Sequence, residues 1–337
     1  MSEGRPTVAI VLCTWQGERH LGEQLDSLAA QSWPIALTVH DDASRDASAE
    51  LARRHSGVER VVAHADNVGY VGNFERGIAR ALADGHDYIA LADQDDVWDP
   101  CRVERGMRLM LETEAHEGRG RPVLVHSDLT LVDELGQPLA PSFLSCRGYA
   151  IGDAPNLALV LGQNGVMGNT VLVNRALATL ALPFPSGLHV HDWWLAVIAE
   201  LHGRRRLVER PTVAYRLHAG NASNPAGSVA PGALAVARRM TWKRLRARDF
   251  RLPFKEDSRD EVLAGLLAES GRRAVVDPVS RRLMTRFLAY LRLERPAPVL
   301  FASLLRHGFL RHGIAHRARV ALALAFSARY DGARPRR

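Results

Sequence analysis

Cysteine is scarce in this chain. There are three in 337 residues, Cys13, Cys101 and Cys146, and none stands in a CxxC pair. An odd, widely spaced set indicates neither a disulfide framework nor a zinc cage, and a reducing compartment fits best. Glycine-rich phosphate loops are also missing. No GxGxxG follows the first apolar run and no GxxxxGK[ST] occurs anywhere, which argues against a Rossmann dehydrogenase and a P-loop NTPase. Long apolar runs are absent too. The longest, Pro298–Leu305 and Val320–Phe326, fall well short of the roughly 20 residues that span a bilayer. Residues 1–6 are short and polar, so no signal peptide is expected. Acidic residues are few only at the C-terminal end. Residues 1–237 hold about 20 Lys+Arg against about 28 Asp+Glu, and residues 238–337 about 24 against about 9. The formal charge of +7 therefore belongs to the last third of the chain.

Within the first 130 residues two periodicities alternate. Apolar runs of strand length at Thr7–Cys13, Ile35–His40, Val58–His64 and Asp87–Ala92 are separated by helical spacings at Glu18–Ala30, Ala43–His55, Gly72–Ala83 and Arg102–Glu114. Ser44 is a plausible helix cap. This order predicts an α/β fold, a mostly parallel central sheet flanked by helices. Further strands are expected at Val123–Leu131, Thr170–Asn174 and Pro211–Leu217. Helices are expected at Asn156–Leu161, Arg175–Leu180 and His191–Leu201. The stretch 222–232, rich in Ala, Gly, Ser, Asn and Pro, reads as a linker or mobile loop, and residues 233–337 as a basic helical C-terminal region.

In an open parallel sheet, ligands bind beyond the carboxyl ends of the strands. Four polar loops fall there: Thr14–Glu18, Asp41–Ser44, Asp66–Gly69 and Asp93–Trp98. The last, Asp93-Gln94-Asp95-Asp96, is the most informative. Clustered carboxylates repel one another unless a cation neutralises them, and hard oxygen ligands suit Mg²⁺ or Mn²⁺. Such an ion can bridge to a diphosphate and stabilise its departing charge. The bland alternative is a solvated acidic turn. Asp41 and Asp42 can accept hydrogen bonds from a nucleobase or ribose, or cap the following helix. Asp192, at a helix start beside Trp193 and Trp194, suits a general base on the acceptor side of a transfer; alternatively it caps the helix with a tryptophan in the core.

Several ordered segments carry a resemblance: VAIVLCTWQGERHLGEQLDSLAAQSW, HDDASRD, NVGYVGNFERGI, DYIALADQDDVWDPCRV, HSD at 126–128, HDWWLA and YRLHAGN. Together they span residues 7–221 and resemble family-2 glycosyltransferases of GT-A fold, in particular the rhamnosyltransferase-like group of bacterial surface polysaccharide synthesis. The resemblance implies a catalytic domain over 1–221 and an inverting sugar transfer. Thr14 and Glu18 would lie along the nucleotide, with Asp42 or Asp41 on the base or ribose. Asn67, Gly69 and Asn73 would line the donor pocket, and Asp93 would contact ribose or donor sugar. Asp95 would hold Mg²⁺ or Mn²⁺, with His218 in the loop that closes over phosphates or metal. Asp96, Trp98, His191 and Trp193 would face the sugars, and Asp192 would be the general base. Departures occur: DDAS stands where DDGS is usual, and TWQG where TYNG is usual. The QxxRW of processive synthases is missing, which implies single additions. The resemblance further implies a nucleotide diphosphate sugar donor, guessed as dTDP-rhamnose, and a glycan or polyprenyl-linked acceptor, such as an O-antigen precursor. It also implies a cytoplasmic place, with the basic C-terminal region touching the inner face of an anionic membrane. No nucleic-acid module is present to suggest that partner. Competing readings are a nucleotidyltransferase, a metal-dependent phosphohydrolase, or a non-catalytic basic binding protein.

Overall fold

The structure, a computed structural model, describes residues 5–149, 151–218, 220–221, 259–268, 276–292, 294–307 and 309. The apolar run that opens the chain becomes β1 (Val8–Thr14), buried at every position. It lies between β2 (Ile35–Asp41) and β4 (Tyr88–Ala92), parallel to both. Strand β3 (Arg60–Ala63) extends the sheet beyond β2, again in parallel. A strand covered on both faces needs no alternation of polar residues, which is why VAIVLCT and YIALA are uninterrupted.

Between these strands run α1 (Leu21–Ala29), α2 (Ser48–Arg54) and α3 (Gly69–Ala83), and α3 packs on β1. The second helix begins later than its sequence suggests. Ser44 does not cap it; its hydroxyl accepts a bond from the Gln16 amide, and Asp46 binds the Ser48 amide and hydroxyl instead.

After β4 the sheet becomes mixed. A short β5 (Val97–Trp98) leads into α4 (Arg102–Glu117), followed by β6 (Val123–Val132) and β7 (Pro138–Ala140). Next come α5 (Phe143–Arg147), α6 (Leu157–Gln163), a single 3₁₀ turn at Gly168–Thr170, β8 (Leu172–Asn174) and α7 (Arg175–Ala181). The catalytic-domain expectation closes with α8 (His191–His202) and β9 (Arg204–Arg216). The sheet order is β3-β2-β1-β4-β8-β6-β9-β5, with β7 on β6. Strand β8 is antiparallel to β4 and β6, and β9 is parallel to β6. The chain order reverses between β1 and β4. Open α/β sheets place their ligand crevice at such a switch point.

Strand β9 starts seven residues before the expected Pro211. Its first residues, Arg204-Arg205-Arg206, look like surface charge in the sequence, but Arg205 is buried. Its guanidinium pairs with Glu200 at 2.8 Å and donates to His126 Nε2 at 2.9 Å. Burial and the neighbouring Arg205 push the His126 imidazole well below its ordinary range, so it stays neutral and accepts that bond.

Beyond the sheet, α9 (Arg259–Ala268), α10 (Pro278–Leu291) and α11 (Ala297–Arg306) join the same core. Asp277 caps α10 by accepting from the Val279 and Ser280 amides, with Pro278 at the first helical position. Met284, Phe287 and Tyr290 are buried, and α10 packs on α6. In this basic C-terminal region Leu304 and Phe309 are buried, whereas Leu305 is partly exposed. Gly162 is the contact that makes this possible: a β-carbon there would lie 2.4 Å from the Phe309 carbonyl oxygen. The expected linker at 222–232 and, within the basic region, the run of Arg238, Arg239, Lys243, Arg244, Arg246 and Arg248 in the sequence lie outside the described residues. Among the described residues, no helix is long and apolar enough to cross a membrane.

Candidate active site

The loops after β1, β2, β3 and β4 meet at the switch point. Gln94 ties two of them together. Its Oε1 accepts from Thr14 Oγ1 and from the Trp15 amide, both at 2.7 Å, and its Nε2 donates to the Trp15 carbonyl at 3.2 Å. Gln24 in α1 donates to the Asp93 carbonyl at 2.8 Å. The Asp93–Asp96 turn is thereby fixed to β1 and α1.

Beside it opens a cleft of about 670 Å³ lined by Trp15, Gln16, Ala43–Arg45 and His64–Asn67. Asp41 and Asp42 are buried behind this lining, just before Ala43. Asp41 Oδ2 accepts from the Ser44 amide at 3.1 Å, while its buried Oδ1 has no partner among the described residues. Asp42 Oδ1 accepts from the Val68 amide at 2.8 Å and its carbonyl from Asn67 Nδ2 at 3.1 Å. Trp15 is 55% exposed at the rim, an aromatic face of the kind a base or sugar can stack on. Gly69, with φ of +75°, turns the chain into α3. Glu18 is exposed, and one oxygen of its carboxylate accepts from the Ala47 amide at the start of α2.

The acidic turn is electrostatically loaded. Burial, then Asp95 and Asp192, raise the Asp93 carboxyl from its ordinary 3.8 to about 7. Asp96 is buried completely, and burial followed by Asp95 and Asp93 pushes its carboxyl well above the usual range. It accepts from Asn169 Nδ2 at 2.5 Å and from the Arg216 amide at 3.3 Å.

Asp95 Oδ2 lies 2.7 Å from His218 Nε2. The Gly220 amide donates to His218 Nδ1 at 3.1 Å, which leaves Nε2 facing the carboxylate. Arg216 is buried beneath this pair, its Nε donating to the Asp95 carbonyl at 3.0 Å and its Nη2 to Glu23 at 2.5 Å. Among the described residues no three ligand-type side chains converge closely enough to hold a metal unaided. Asp95 and His218 are the two ligand-type side chains that meet here; a divalent ion held by them would need water and phosphate oxygens in its remaining positions, the usual mode for Mg²⁺.

Asp192, in the first turn of α8, is held on both oxygens. Oδ1 accepts from Asn164 Nδ2 at 2.9 Å and from the Trp193 amide at 2.5 Å, and Oδ2 from the Gly168 amide at 3.0 Å.

Five expected placements need correction. Trp98 and Trp193 are 2% and 0% exposed, so neither indole faces a sugar. Trp98 stacks under the Arg102 guanidinium, 3.4 Å from the ring centre, and Trp193 under that of Arg259 at 4.8 Å. His191 is buried against Phe74, ring centres 4.3 Å apart, and burial lowers its imidazole below the ordinary value, so it is neutral. Asp96 is enclosed as described. Asn73 is spent inside the fold, donating to the His40 carbonyl at 2.9 Å and meeting His64 Nε2 at 3.0 Å.

The sequence reading missed Gln94, Arg216, Asn164 and Asn169. Arg216 had a signal, a charged residue ending an otherwise apolar strand in YRLH. The two asparagines lie in Asn164–Thr170, where the resembling family often has GCT or GNT after a methionine, but no role could be read for them because their partners are distant in sequence.

Comparison with known proteins bears on the family and the fold. Residues 9–116 match the family model described as Glycosyl transferase family 2. The dTDP-rhamnosyl transferase RfbG of Shigella flexneri is 23% identical over 221 residues, covering 62% of this chain and 72% of that protein. Among solved structures, S. aureus TarS 1–349 in complex with UDP-GlcNAc superposes with a TM-score of 0.55 at 15% identity, covering 98% of this chain and 93% of that one. The mannosyltransferase PcManGT from Pyrobaculum calidifontis, in complex with GDP-Man and Mn²⁺, gives 0.54 at 16% identity, covering 98% and 88%. At these identities the two structures speak to the fold alone.

Proposed function

We propose that this chain, whose residues 9–116 match the Glycosyl transferase family 2 model, is a glycosyltransferase that catalyses an inverting, metal-dependent, non-processive transfer. The sugar, rhamnose from dTDP-rhamnose in our reading, moves from a nucleotide diphosphate onto a hydroxyl of a glycan or lipid-linked glycan. The observation that carries the proposal is geometric: Asp95 meets His218 at one side of the acidic turn, and the segment that holds Asp192 through Asn164 also holds Asp96 of that turn through Asn169. It supports a cation-binding side and a base side facing one reacting centre. The rhamnosyl relative supports the choice of sugar.

In this reading the nucleoside occupies the cleft between Trp15 and Asn67, with Asp41 Oδ1 as a waiting acceptor. Asp95 and His218 would hold the divalent ion, which when bound would supply charge neutralisation to the departing diphosphate. Arg216 fixes the Asp95 backbone and Gln94 fixes the turn. Asp192 takes the proton of the acceptor hydroxyl as that oxygen bonds to the anomeric carbon. The bond from that carbon to the phosphate oxygen breaks, and the diphosphate leaves with its electron pair. One displacement inverts the centre, and no covalent enzyme intermediate is needed. The exposed Val279, Val299 and Leu305, among arginines of α10 and α11, support a peripheral contact with an anionic membrane at its cytoplasmic face.

The test is a panel of nucleotide sugars with Mg²⁺ or Mn²⁺, read as protection against thermal unfolding and then as transfer to added glycosides. A ligand at 100 times its Kd stabilises by about 2.7 kcal/mol. The proposal expects metal-dependent protection by one nucleotide diphosphate sugar, and an acceptor-dependent product. Nucleotide release without an acceptor indicates a phosphohydrolase instead, and pyrophosphate release a nucleotidyltransferase.

A further inference from the structure

The segment 164–169, NGVMGN, runs from the end of α6 into the 3₁₀ turn and touches the candidate site at both ends. Asn164 Nδ2 donates to Asp192 Oδ1 at 2.9 Å, and Asn169 Nδ2 donates to Asp96 Oδ2 at 2.5 Å. The stretch between them is pinned. A β-carbon on Gly165 would meet Ile151 at 2.8 Å, and one on Gly168 would meet His191 Nε2 at 2.9 Å. Val166 is fully buried, and the Thr170 hydroxyl and amide both return to the Met167 carbonyl. Residues 157–171 contain no charged or titratable side chain, so this segment acts on Asp192 only through neutral donors. The charged or titratable groups that face Asp192 from elsewhere are Asp93, across the site, and its own neighbour His191.

Asn164 itself sits in the left-handed region, φ 46°, as the C-cap of α6. Asparagine tolerates that conformation better than most side chains. Its orientation is dictated by chemistry. An ionised carboxylate only accepts, so the amide nitrogen must face Asp192. The outward Oδ1 is then buried with no partner among the described residues.

We propose that Asn164 is a positioning residue for the transfer. It fixes the rotation of the Asp192 carboxylate from the same rigid segment that holds Asp96, and so sets the base relative to the acidic turn. The donor bonds are independent of the acceptor, so the bracket is preassembled before substrate arrives. This rests on the reading of Asp192 as the base.

The test compares Asn164→Gly with wild type, each alone and with Asp192→Asn. The donor is the nucleotide sugar selected by thermal protection, and the acceptors are octyl glycosides. Glycine keeps the left-handed backbone at no steric cost and removes only the amide. The expected result is a fall in kcat of about 10- to 100-fold, the range for losing one hydrogen bond to a charged group. Donor Kd and Tm stay at the wild-type values, and in the Asp192→Asn background the same change has no further effect. Asn164→Asp, which keeps the shape but sets acceptor against acceptor, lowers kcat at least as far. An unchanged kcat in Asn164→Gly, an equal fall in both backgrounds, or a loss confined to donor Kd overturns the positioning role alone. Full transfer by Asp192→Asn overturns the base assignment, and this inference with it.

Discussion

Replacing Asp93 by asparagine should stabilise the metal-free protein while removing a residue we assign to the donor site. In the folded chain the Asp93 carboxyl is raised from 3.8 to about 7, first by burial and then by Asp95 and Asp192. In the unfolded chain it ionises near its ordinary value. Between about pH 4 and 7 the native state therefore binds a proton that the unfolded state has released, and stability falls as pH rises. The penalty is complete above about pH 7. Each pH unit between the two values carries about 1.4 kcal/mol, which sets a ceiling of about 4 kcal/mol. The amide introduced by Asp93→Asn cannot ionise and escapes the penalty. For a domain of this size that corresponds to roughly 5 °C in Tm at pH 8, with the gain closing toward pH 4. Thermal unfolding in chelator from pH 4.5 to 8 measures it. A variant less stable than wild type at pH 8, or a difference that does not change with pH, refutes the reasoning.

Gly162→Ala forces a methyl group against the Phe309 carbonyl, 2.4 Å away. Overpacking of this kind costs about 1–3 kcal/mol; we expect a lower Tm and faster proteolysis around α11, with nucleotide binding retained. Arg216→Met deletes the donors to the Asp95 and Glu134 carbonyls and the partner of Glu23. Leaving buried acceptors unsatisfied costs about 1–3 kcal/mol each, so urea unfolding should shift by at least about 2 kcal/mol, and Mn²⁺ affinity should fall with it.

The sequence made the sheet edge legible because β1, β2 and β4 are buried on both faces, and an unbroken apolar run ending in Asp or Thr can be read directly. The acidic turn followed from its place after YIALA. Other features depended on contacts between residues far apart in the chain. Three consecutive arginines read as surface until Glu200 and His126 are seen beside Arg205. Trp98 and Trp193 read as sugar platforms because indole suits both a core and a binding face, and only packing under Arg102 and Arg259 decides between them. Asn73 looked like a pocket residue because it follows NVGYVG, yet its amide closes β2 and β3 onto α3. Asn164 and Asn169 sit in a segment that resembles a family motif, yet their roles gave no signal, since a hydrogen bond across 28 or 73 residues leaves no periodicity.

The most direct test is sugar transfer by Asp95→Asn and Asp192→Asn, with Mn²⁺ affinity followed in parallel and the anomeric configuration of the wild-type product read by NMR. We predict an inverted product, weakened Mn²⁺ binding and lost transfer in Asp95→Asn, and lost transfer with Mn²⁺ and donor binding intact in Asp192→Asn. A retained configuration, or transfer that survives both substitutions, would contradict a mechanism in which a cation side and a base side meet at the β1–β4 switch point.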